Sequence, residues 1–294
     1  MKNFKHKKLS QELWKKRAFL AESWFINLRD LMCASFLDLE NEYNKKRQLN
    51  KKNFKTKKWV KDLSNPENGG GTSCILRGNL FEKVGVNISK VIGAFPKDFQ
   101  KSIKGADKNP NFFATGISVV AHMKSPLIPA AHFNTRFIVT NDAWFGGGCD
   151  LTPTYKVKYV KNDFHKHLKK FCNTHNKKYY SKYSKMCKNY FYLPHRNEER
   201  GVGGIFFDYL QDDWEKHFSF VKGNGIFFLS YFTNLVKKFY QKEWTHDQRK
   251  KLLLKRSRYV EFNLLYDKGT MFGLKTGGNI DAILMSMPPI VTWE

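Results

Sequence analysis

Apolar and polar residues alternate in the middle of the chain with the two-residue period of β-strands. An apolar run over 116–121 ends at His122, and a second run follows a proline-containing connection. Polar and apolar side chains alternate in this second run, with His132, Asn134 and Arg136 at one parity and Phe133, Thr135 and Phe137 at the other. Because strand side chains alternate between faces, the first three should project from one side of a sheet.

A third strand-like segment, Ala143–Phe145, leads into the triple glycine Gly146–Gly148, which is followed by Cys149 and Asp150. Glycine permits unusual backbone dihedrals and leaves room for another group close to the backbone. The pattern therefore predicts an arginine and a carboxylate, Arg136 and Asp150, beside a stretch of backbone without side chains.

The flanking segments are mostly helical in pattern. Apolar residues recur at helical intervals over 10–44 without Gly or Pro, which predicts a long helix that covers one face of the sheet. Its apolar stripe consists of Leu20, Trp24, Leu28, Leu31 and Leu39. Further helices are predicted over 160–192, 213–244 and 245–256, and Thr245 with Gln248 forms a plausible capping box at the start of the last one.

Shorter segments predict additional strands and connections. Strands are expected over 203–210, 258–267 and 282–287. The charge-rich segment 45–58 is expected to be a mobile connection, and 69–71 is expected to be a loop before a hairpin. Strands separated by helices of unequal length, with hairpins at the centre, indicate an α+β fold. With no internal repeat and no linker composition after residue 59, we expect a single domain, in which 1–58 supply the first helix and a basic connection.

The composition is typical of a globular protein, with 41% hydrophobic and 16% aromatic residues. The formal net charge of +26 would suit a polyanion or an anionic surface. The lysines, however, are scattered over segments that resemble loops and solvated helix faces, and no RNA-binding, zinc-finger or P-loop motif accompanies them. We interpret the charge as a property of the solvated surface and expect no nucleic-acid partner; polyanion binding is the alternative.

The five cysteines form no C-x-x-C pair, which argues against a disulfide framework and against a cysteine zinc site. No apolar run approaches the roughly 20 residues that cross a bilayer. The basic N-terminus lacks the apolar core of a signal peptide. We therefore expect reduced thiols, no membrane span and a cytoplasmic location.

Five long motifs follow one another along the chain: HFNTRF, WFGGGCDLTPTY, YFYLPHRNEERGVGGIFFD, RYVEFNLLYDKGTMFGL and ILMSMPP. Together they resemble the oxygen-dependent coproporphyrinogen III oxidase family, and the resemblance is collinear from about Trp59 to Trp293. It implies that 59–294 form the catalytic part of the chain. It also implies a large, flat, mostly antiparallel β-sheet packed between α-helices, in a homodimer formed through the C-terminal region.

The resemblance implies the reaction as well. Members of the family convert two propionate groups of coproporphyrinogen III to vinyl groups by oxidative decarboxylation, giving protoporphyrinogen IX, CO2 and H2O2 in haem biosynthesis. Molecular oxygen is the co-substrate. No organic cofactor is expected, and the sequence carries no flavin, nicotinamide or haem motif.

The family's functional positions can be carried over onto this chain. His132 matches the proton donor, Asp150 matches a residue that accepts from the pyrrole N–H groups or acts as a base, and Arg136 suits a propionate. The substrate-binding positions are Ser118, Asn134, Thr135, Arg136, Gly277, Gly278 and Asn279. From the residues alone, Asp150 would equally well be a turn aspartate before Leu-Thr-Pro.

Four histidines match positions that bacterial members assign to a divalent metal: His122, His132, His167 and His195. His165 and His167 lie on a predicted helix, where residues two apart point in different directions, and no carboxylate partner is evident for the set. We therefore favour direct, metal-free oxygen chemistry, with metal dependence as the alternative.

The C-terminal motif departs from the family pattern. Bacterial relatives usually carry arginine after the Gly-Gly pair, where this chain has Asn279. A missing charge-assisted contact would cost about 1.5–3 kcal/mol unless Lys275 replaces it. A non-catalytic relative that retains the fold is therefore a further alternative.

Overall fold

The computed structural model describes residues 10–101, 103–155, 158–275 and 278–294. In chain order the strands are β1 (Lys55–Val60), β2 (Gly69–Leu76), β3 (Phe81–Ala94), β4 (Asn111–Met123), β5 (Ala130–Val139), β6 (Ala143–Thr152), β7 (Tyr192–Leu193), β8 (Glu198–Glu199) and β9 (Gly203–Leu210). The helices are α1 (Gln11–Lys46), α2 (Lys97–Gln100), α3 (Lys158–His175), α4 (Tyr179–Tyr190), α5 (Trp214–Phe239), α6 (His246–Leu265), α7 (Lys268–Lys275) and α8 (Ile280–Ile283).

Within the described residues the main sheet has seven strands in the order β1-β2-β3-β4-β5-β6-β9, and every neighbouring pair is antiparallel. The strands β7 and β8 form a separate small ladder. The predicted α+β architecture, built on an antiparallel sheet, is confirmed.

One face of the sheet packs against α1 and α5 and contains most of the apolar core. Phe133 of β5 stacks on Phe228 of α5 at 5.1 Å between ring centroids, and Trp14 of α1 lies 5.9 Å from Phe113 of β4. The helix α4 lies beside the edge strand β9, where Tyr190 stacks on Phe206 at 4.3 Å. Because these layers cover the first face and the β9 edge, functional groups that need access lie on the second face.

The second face is partly covered by the C-terminal part of the chain. The Met285 side chain lies directly over Gly85 of β3, where a Cβ would come within 1.9 Å of its sulfur. Nearby, Asn87 of β3 donates to the Ala282 carbonyl at 2.8 Å. At the far end of the same face, Phe272 of α7 packs on Phe112. The stretch of sheet between these covers is formed by the central parts of β4, β5 and β6.

The helix α1 begins at the predicted place, and the Ser10 side chain accepts from the Leu13 N–H as its N-cap. The predicted apolar stripe is partly wrong, because Leu20 and Leu31 are exposed whereas Leu28 and Leu39 are buried. The buried face also includes two alanines, a methionine and two phenylalanines, namely Ala18, Ala21, Phe25, Met32 and Phe36.

Several other boundaries differ from the prediction. Segment 258–267 is not a strand: most of it belongs to α6, which buries Tyr259, Phe262 and Asn263 at helical spacing. Segment 282–287 is a short helix and a 3-10 turn rather than a strand. The glycines 69–71 lie inside β2, and the basic connection after α1 includes β1. Edge pairing and packing, which composition does not reveal, determine these outcomes.

The capping box of Thr245 and Gln248 and the strand over 203–210 are confirmed. In the part of the chain that the structure describes, we find no helix with both the length and the apolar content to cross a bilayer.

Candidate active site

The register of the central strands brings the predicted polar residues onto one face. His132 of β5 pairs with Asp150 of β6, and Asn134 pairs with Gly148 on one side and with Ser118 of β4 on the other. Directly paired residues of antiparallel strands project to the same side. The predicted common face of His132, Asn134 and Arg136 is therefore confirmed, with Asp150 and Ser118 on that side as well.

Asp150 lies below the surface of this face, at 2% exposure. Its Oδ1 accepts from His132 Nδ1 at 2.8 Å, and its Oδ2 accepts from the Arg200 guanidinium at 2.7 Å. Both oxygens are therefore occupied and covered, and the carboxylate that was expected to meet the macrocycle lies behind His132. The more exposed His132, at 15%, is the member of this pair that a substrate can meet.

Arg200 is itself buried, at 1% exposure, in a box of aromatic rings. Its guanidinium carbon lies 3.9 Å from the centroid of Phe191, 4.6 Å from that of Tyr259 and 4.9 Å from that of Phe262. Such faces attract a cation, and the box keeps water from the ion pair. Arg200 thus supplies a fixed positive charge behind Asp150.

The environment keeps Asp150 ionised. Burial alone would raise the pKa of its carboxyl, but the charge of Arg200 and the hydrogen bond from His132 outweigh burial, so the pKa lies below its ordinary value. An ionised Asp150 holds the proton of His132 on Nδ1. In the neutral ring, Nε2 is then an acceptor, and Asn134 Nδ2 donates to it at 3.3 Å.

Arg136 lies on the same face and is 31% exposed. One of its terminal nitrogens donates to Asp208 Oδ2 at 2.8 Å, and Asp208 Oδ1 accepts from the Trp144 indole at 3.1 Å. Gly146, opposite Arg136 in the ladder, makes room for this pair. A Cβ at Gly146 would come within 2.5 Å of Asp208 Oδ1 and 2.9 Å of the Arg136 nitrogen.

Of the other predicted substrate positions, Ser118 faces the site but Thr135 does not. Thr135 lies at the opposite parity of β5, and its side chain is buried on the core face. Only the main chain of Thr135 can contact a ligand on the site face. The Asn134 side-chain oxygen is shielded from solvent and has no donor among the described residues. Buried polar atoms are normally paired, so this oxygen marks a place where a ligand donor would be stabilised.

The predicted C-terminal loop is only partly described, because Gly277 lies outside the described residues. The Gly278 N–H donates to the Gly273 carbonyl at 2.9 Å. Asn279 accepts from the Ala282 N–H and caps α8. The helix α8 in turn contacts Asn87, two strands from Asn134, so Gly278 and Asn279 border the site face.

The four histidines of the expected metal set have separate partners. His122 donates to the Ser286 carbonyl at 2.8 Å, and burial, followed by the charge of Arg256, lowers its pKa to about 3. His167 hydrogen-bonds the Asp163 carbonyl on its own helix. His195 donates to Glu261 at 2.8 Å. Among the described residues no three His, Cys, Asp or Glu groups converge as ligands, so the structure does not bring the four histidines together as a set.

Two site residues were missed from the sequence, Arg200 and Asp208. Both lie within the motif YFYLPHRNEERGVGGIFFD. Arg200 follows two glutamates that would have been its natural partners, and Asp208 sits near the end of an apolar strand. A single charged residue in such a context does not reveal its partner, which depends on the ladder register and on the α4–β9 packing.

Comparison with known proteins identifies the family. The profile of the coproporphyrinogen III oxidase family matches residues 21–294. A protein of Rickettsia bellii (strain OSU 85-389), named oxygen-dependent coproporphyrinogen-III oxidase, is 51% identical over 280 residues, covering 95% of this chain and 99% of the relative. A protein of Rickettsia rickettsii (strain Sheila Smith) with the same name is 49% identical over 276 residues, covering 94% and 98%. The chain belongs to the coproporphyrinogen III oxidase family.

Proposed function

We propose that this chain is an oxidoreductase of haem biosynthesis that converts coproporphyrinogen III to protoporphyrinogen IX with molecular oxygen as acceptor. The family membership and the names of the relatives support this activity over nearly the whole chain. For each propionic acid side chain, R–CH2–CH2–COOH and O2 give R–CH=CH2, CO2 and H2O2. The single observation that carries the proposal is that His132, Asn134 and Arg136 of β5 lie on the same face of the main sheet.

The site face can hold an extended, multiply charged macrocycle. Gly146 and Asp150 are four residues apart on β6, which corresponds to about 13 Å at the rise of a strand. The backbone between them carries Gly148, which pairs with Asn134 of β5, and Asn134 pairs in turn with Ser118 of β4. In our proposal Arg136 binds a propionate at one end of this surface, and the ring lies over the glycine-lined backbone.

His132 is the proposed proton-transfer residue. Its Nδ1 is bound to the ionised Asp150, so proton exchange with substrate takes place at Nε2, on the side of Asn134. Asp150 acts here as a positioning residue: it fixes the tautomer and stabilises positive charge on the ring. Arg200 keeps Asp150 ionised and therefore supports the same function from behind.

Several further assignments belong to the proposal. No organic cofactor is required in it, and the absorption spectrum of the purified protein above 320 nm tests this. The five free thiols support a cytoplasmic location. The exposed apolar residues Ile280, Ile290 and Trp293 support a homodimer through the C-terminal region. Sedimentation equilibrium of the unaltered protein tests the dimer, and a monomer mass at micromolar concentration contradicts it.

An anaerobic and an aerobic assay with coproporphyrinogen III test the activity itself. We expect protoporphyrinogen, detected as protoporphyrin after chemical oxidation, only when oxygen is supplied. We also expect one CO2 for each vinyl group formed. An unaltered, folded protein that forms no oxygen-dependent vinyl product is a non-catalytic relative, and the proposal is then wrong.

A further inference from the structure

Asp208 forms an ion pair with Arg136 and thereby engages part of the guanidinium that is expected to bind a propionate. The Arg136–Asp208 distance is 2.8 Å, and both side chains are partly exposed, at 31% and 22%. The hydrogen bond to Asp208 engages one terminal nitrogen of Arg136. The other guanidinium nitrogens have no hydrogen-bond partner among the described residues. Arg136 is thus half-occupied by a carboxylate of its own chain.

The fold positions Asp208 specifically. Between the pairs Phe145–Leu210 and Gly147–Phe207, β6 has one residue and β9 has two, Asp208 and Tyr209. This is a β-bulge, a feature that redirects side chains near functional sites. Tyr209 has a left-handed φ of +55°, an unfavourable conformation for a residue with a side chain.

Asp208 is also anchored independently of Arg136. Its Oδ1 accepts from the Trp144 indole at 3.1 Å and from the Tyr209 N–H at 3.0 Å, which leaves Oδ2 for Arg136. Because two donors hold the carboxylate, it stays in place when the guanidinium moves away. A bulge, a left-handed tyrosine, an indole donor and Gly146 together maintain this arrangement.

We propose that Asp208 is an internal competitor for Arg136, which a substrate propionate must displace. This inference rests on the proposed function, because it takes the propionate to be the ligand of Arg136. A propionate that accepts two parallel hydrogen bonds along one edge of the guanidinium competes for the terminal nitrogen that Asp208 engages. Asp208 also repels a nearby carboxylate, so it weakens substrate binding.

The exchange has a use during the reaction. Decarboxylation turns the bound propionate into a neutral vinyl group and leaves Arg136 without its counter-charge. Asp208, held nearby by Trp144 and Tyr209, takes the guanidinium back. The internal carboxylate therefore makes the subsite weaker for a propionate and more favourable for the vinyl product, which helps the ring to leave or to turn for its second decarboxylation.

The test compares Asp208→Asn with the unaltered protein, using coproporphyrin III, the stable oxidised macrocycle with the same carboxylates, as the probe. Asparagine keeps an acceptor for the Trp144 indole but loses the charge. We expect the Kd for coproporphyrin III, measured by fluorescence quenching, to fall about three- to ten-fold. The KM for coproporphyrinogen should fall with it, whereas kcat should fall or stay constant as product release slows.

Glu42→Gln is the matched control, because it removes one negative charge from a partly exposed ion pair, that with Lys46 on α1. Its Kd should equal that of the unaltered protein. Asp208→Ser provides a second uncharged variant should asparagine disturb folding, and thermal midpoints of all variants monitor the fold.

Three outcomes overturn the inference: an unchanged or higher Kd in both Asp208 variants, an equal decrease in the Glu42 variant, or no probe binding by any protein. A purely structural role for Asp208 would raise the Kd and lower the thermal midpoint. The proposed function has its own test: it is wrong if no oxygen-dependent vinyl product forms, even when the Kd values of the Asp208 and Glu42 variants differ as expected.

Discussion

Replacing Arg200 by methionine is a sharp test of the buried ion pair with Asp150. Methionine is similar in length and packs well against the aromatic rings that surround the guanidinium. It leaves the Asp150 carboxylate at 2% exposure with His132 as its remaining partner. The change therefore removes the compensating charge while retaining most of the packing.

The expected cost follows from the burial of both partners. Removing one partner of a buried pair typically costs about 3–5 kcal/mol, because the remaining charge is uncompensated. The cation–aromatic contacts at 3.9–4.9 Å are lost as well. When Asp150→Asn is added, no buried charge remains. The double variant should therefore be at least about 2 kcal/mol more stable than the sum of the two single changes predicts.

Urea unfolding at pH 7.5, followed by tryptophan fluorescence, measures all four proteins of this cycle. A second experiment follows pH. Without Arg200, the folded-state pKa of Asp150 should rise above its unfolded value, so protonation relieves the variant. The difference in unfolding free energy between Arg200→Met and the unaltered protein should shrink between pH 7.5 and pH 5.

A loss below about 1 kcal/mol for Arg200→Met, or additive single changes, would refute this reasoning, because a pair buried as deeply as this one cannot be energetically neutral to break. Either result would mean that water reaches Asp150 or that His132 alone compensates its charge.

Two further changes test other parts of the structure. Burial lowers the pKa of His122 to about 3, so below pH 6.5 the unfolded chain binds a proton that the folded protein does not. The free energy of unfolding therefore decreases as the pH is lowered, by up to about 1.4 kcal/mol per pH unit. His122→Gln, which keeps a donor for the Ser286 carbonyl, should remove about 2 kcal/mol of the stability lost between pH 8 and pH 5; an unchanged urea-unfolding profile contradicts this. Gly146→Ala places a Cβ against Arg136 and Asp208 and should raise the Kd for coproporphyrin III about ten-fold; an unchanged Kd by fluorescence quenching would show that the subsite lies elsewhere.

The central strands were predictable because their pattern is locally determined. Strict alternation over 132–137 fixes which side chains share a face, and the structure places them accordingly. The capping box at Thr245 was equally readable, since its two hydrogen bonds connect residues three apart. Such features need no knowledge of the rest of the chain.

The errors arise where packing decides. In segment 258–267 apolar residues fit both a period of two and a helical period, and only the burial of Tyr259 and Phe262 against Arg200 and α4 selects the helix. In α1 the buried face combines Leu28 and Leu39 with alanines, phenylalanines and a methionine, so a stripe drawn through the leucines was misleading. The burial of Asp150 was missed for the same reason, since its covering partner Arg200 is distant in sequence.

The turnover of Asp150→Asn, measured beside that of the unaltered protein, tests the central claim most directly. The claim is that Asp150 lies behind His132 and acts through it, while Arg136 and its neighbours bind the substrate. We predict that kcat for oxygen-dependent vinyl formation falls about 10²- to 10⁴-fold. The Kd for coproporphyrin III should change by less than about three-fold, because the carboxylate is covered. A Kd that rises steeply would show that Asp150 contacts the macrocycle itself, and an unchanged kcat would show that the Asp150–His132 pair has no part in the chemistry.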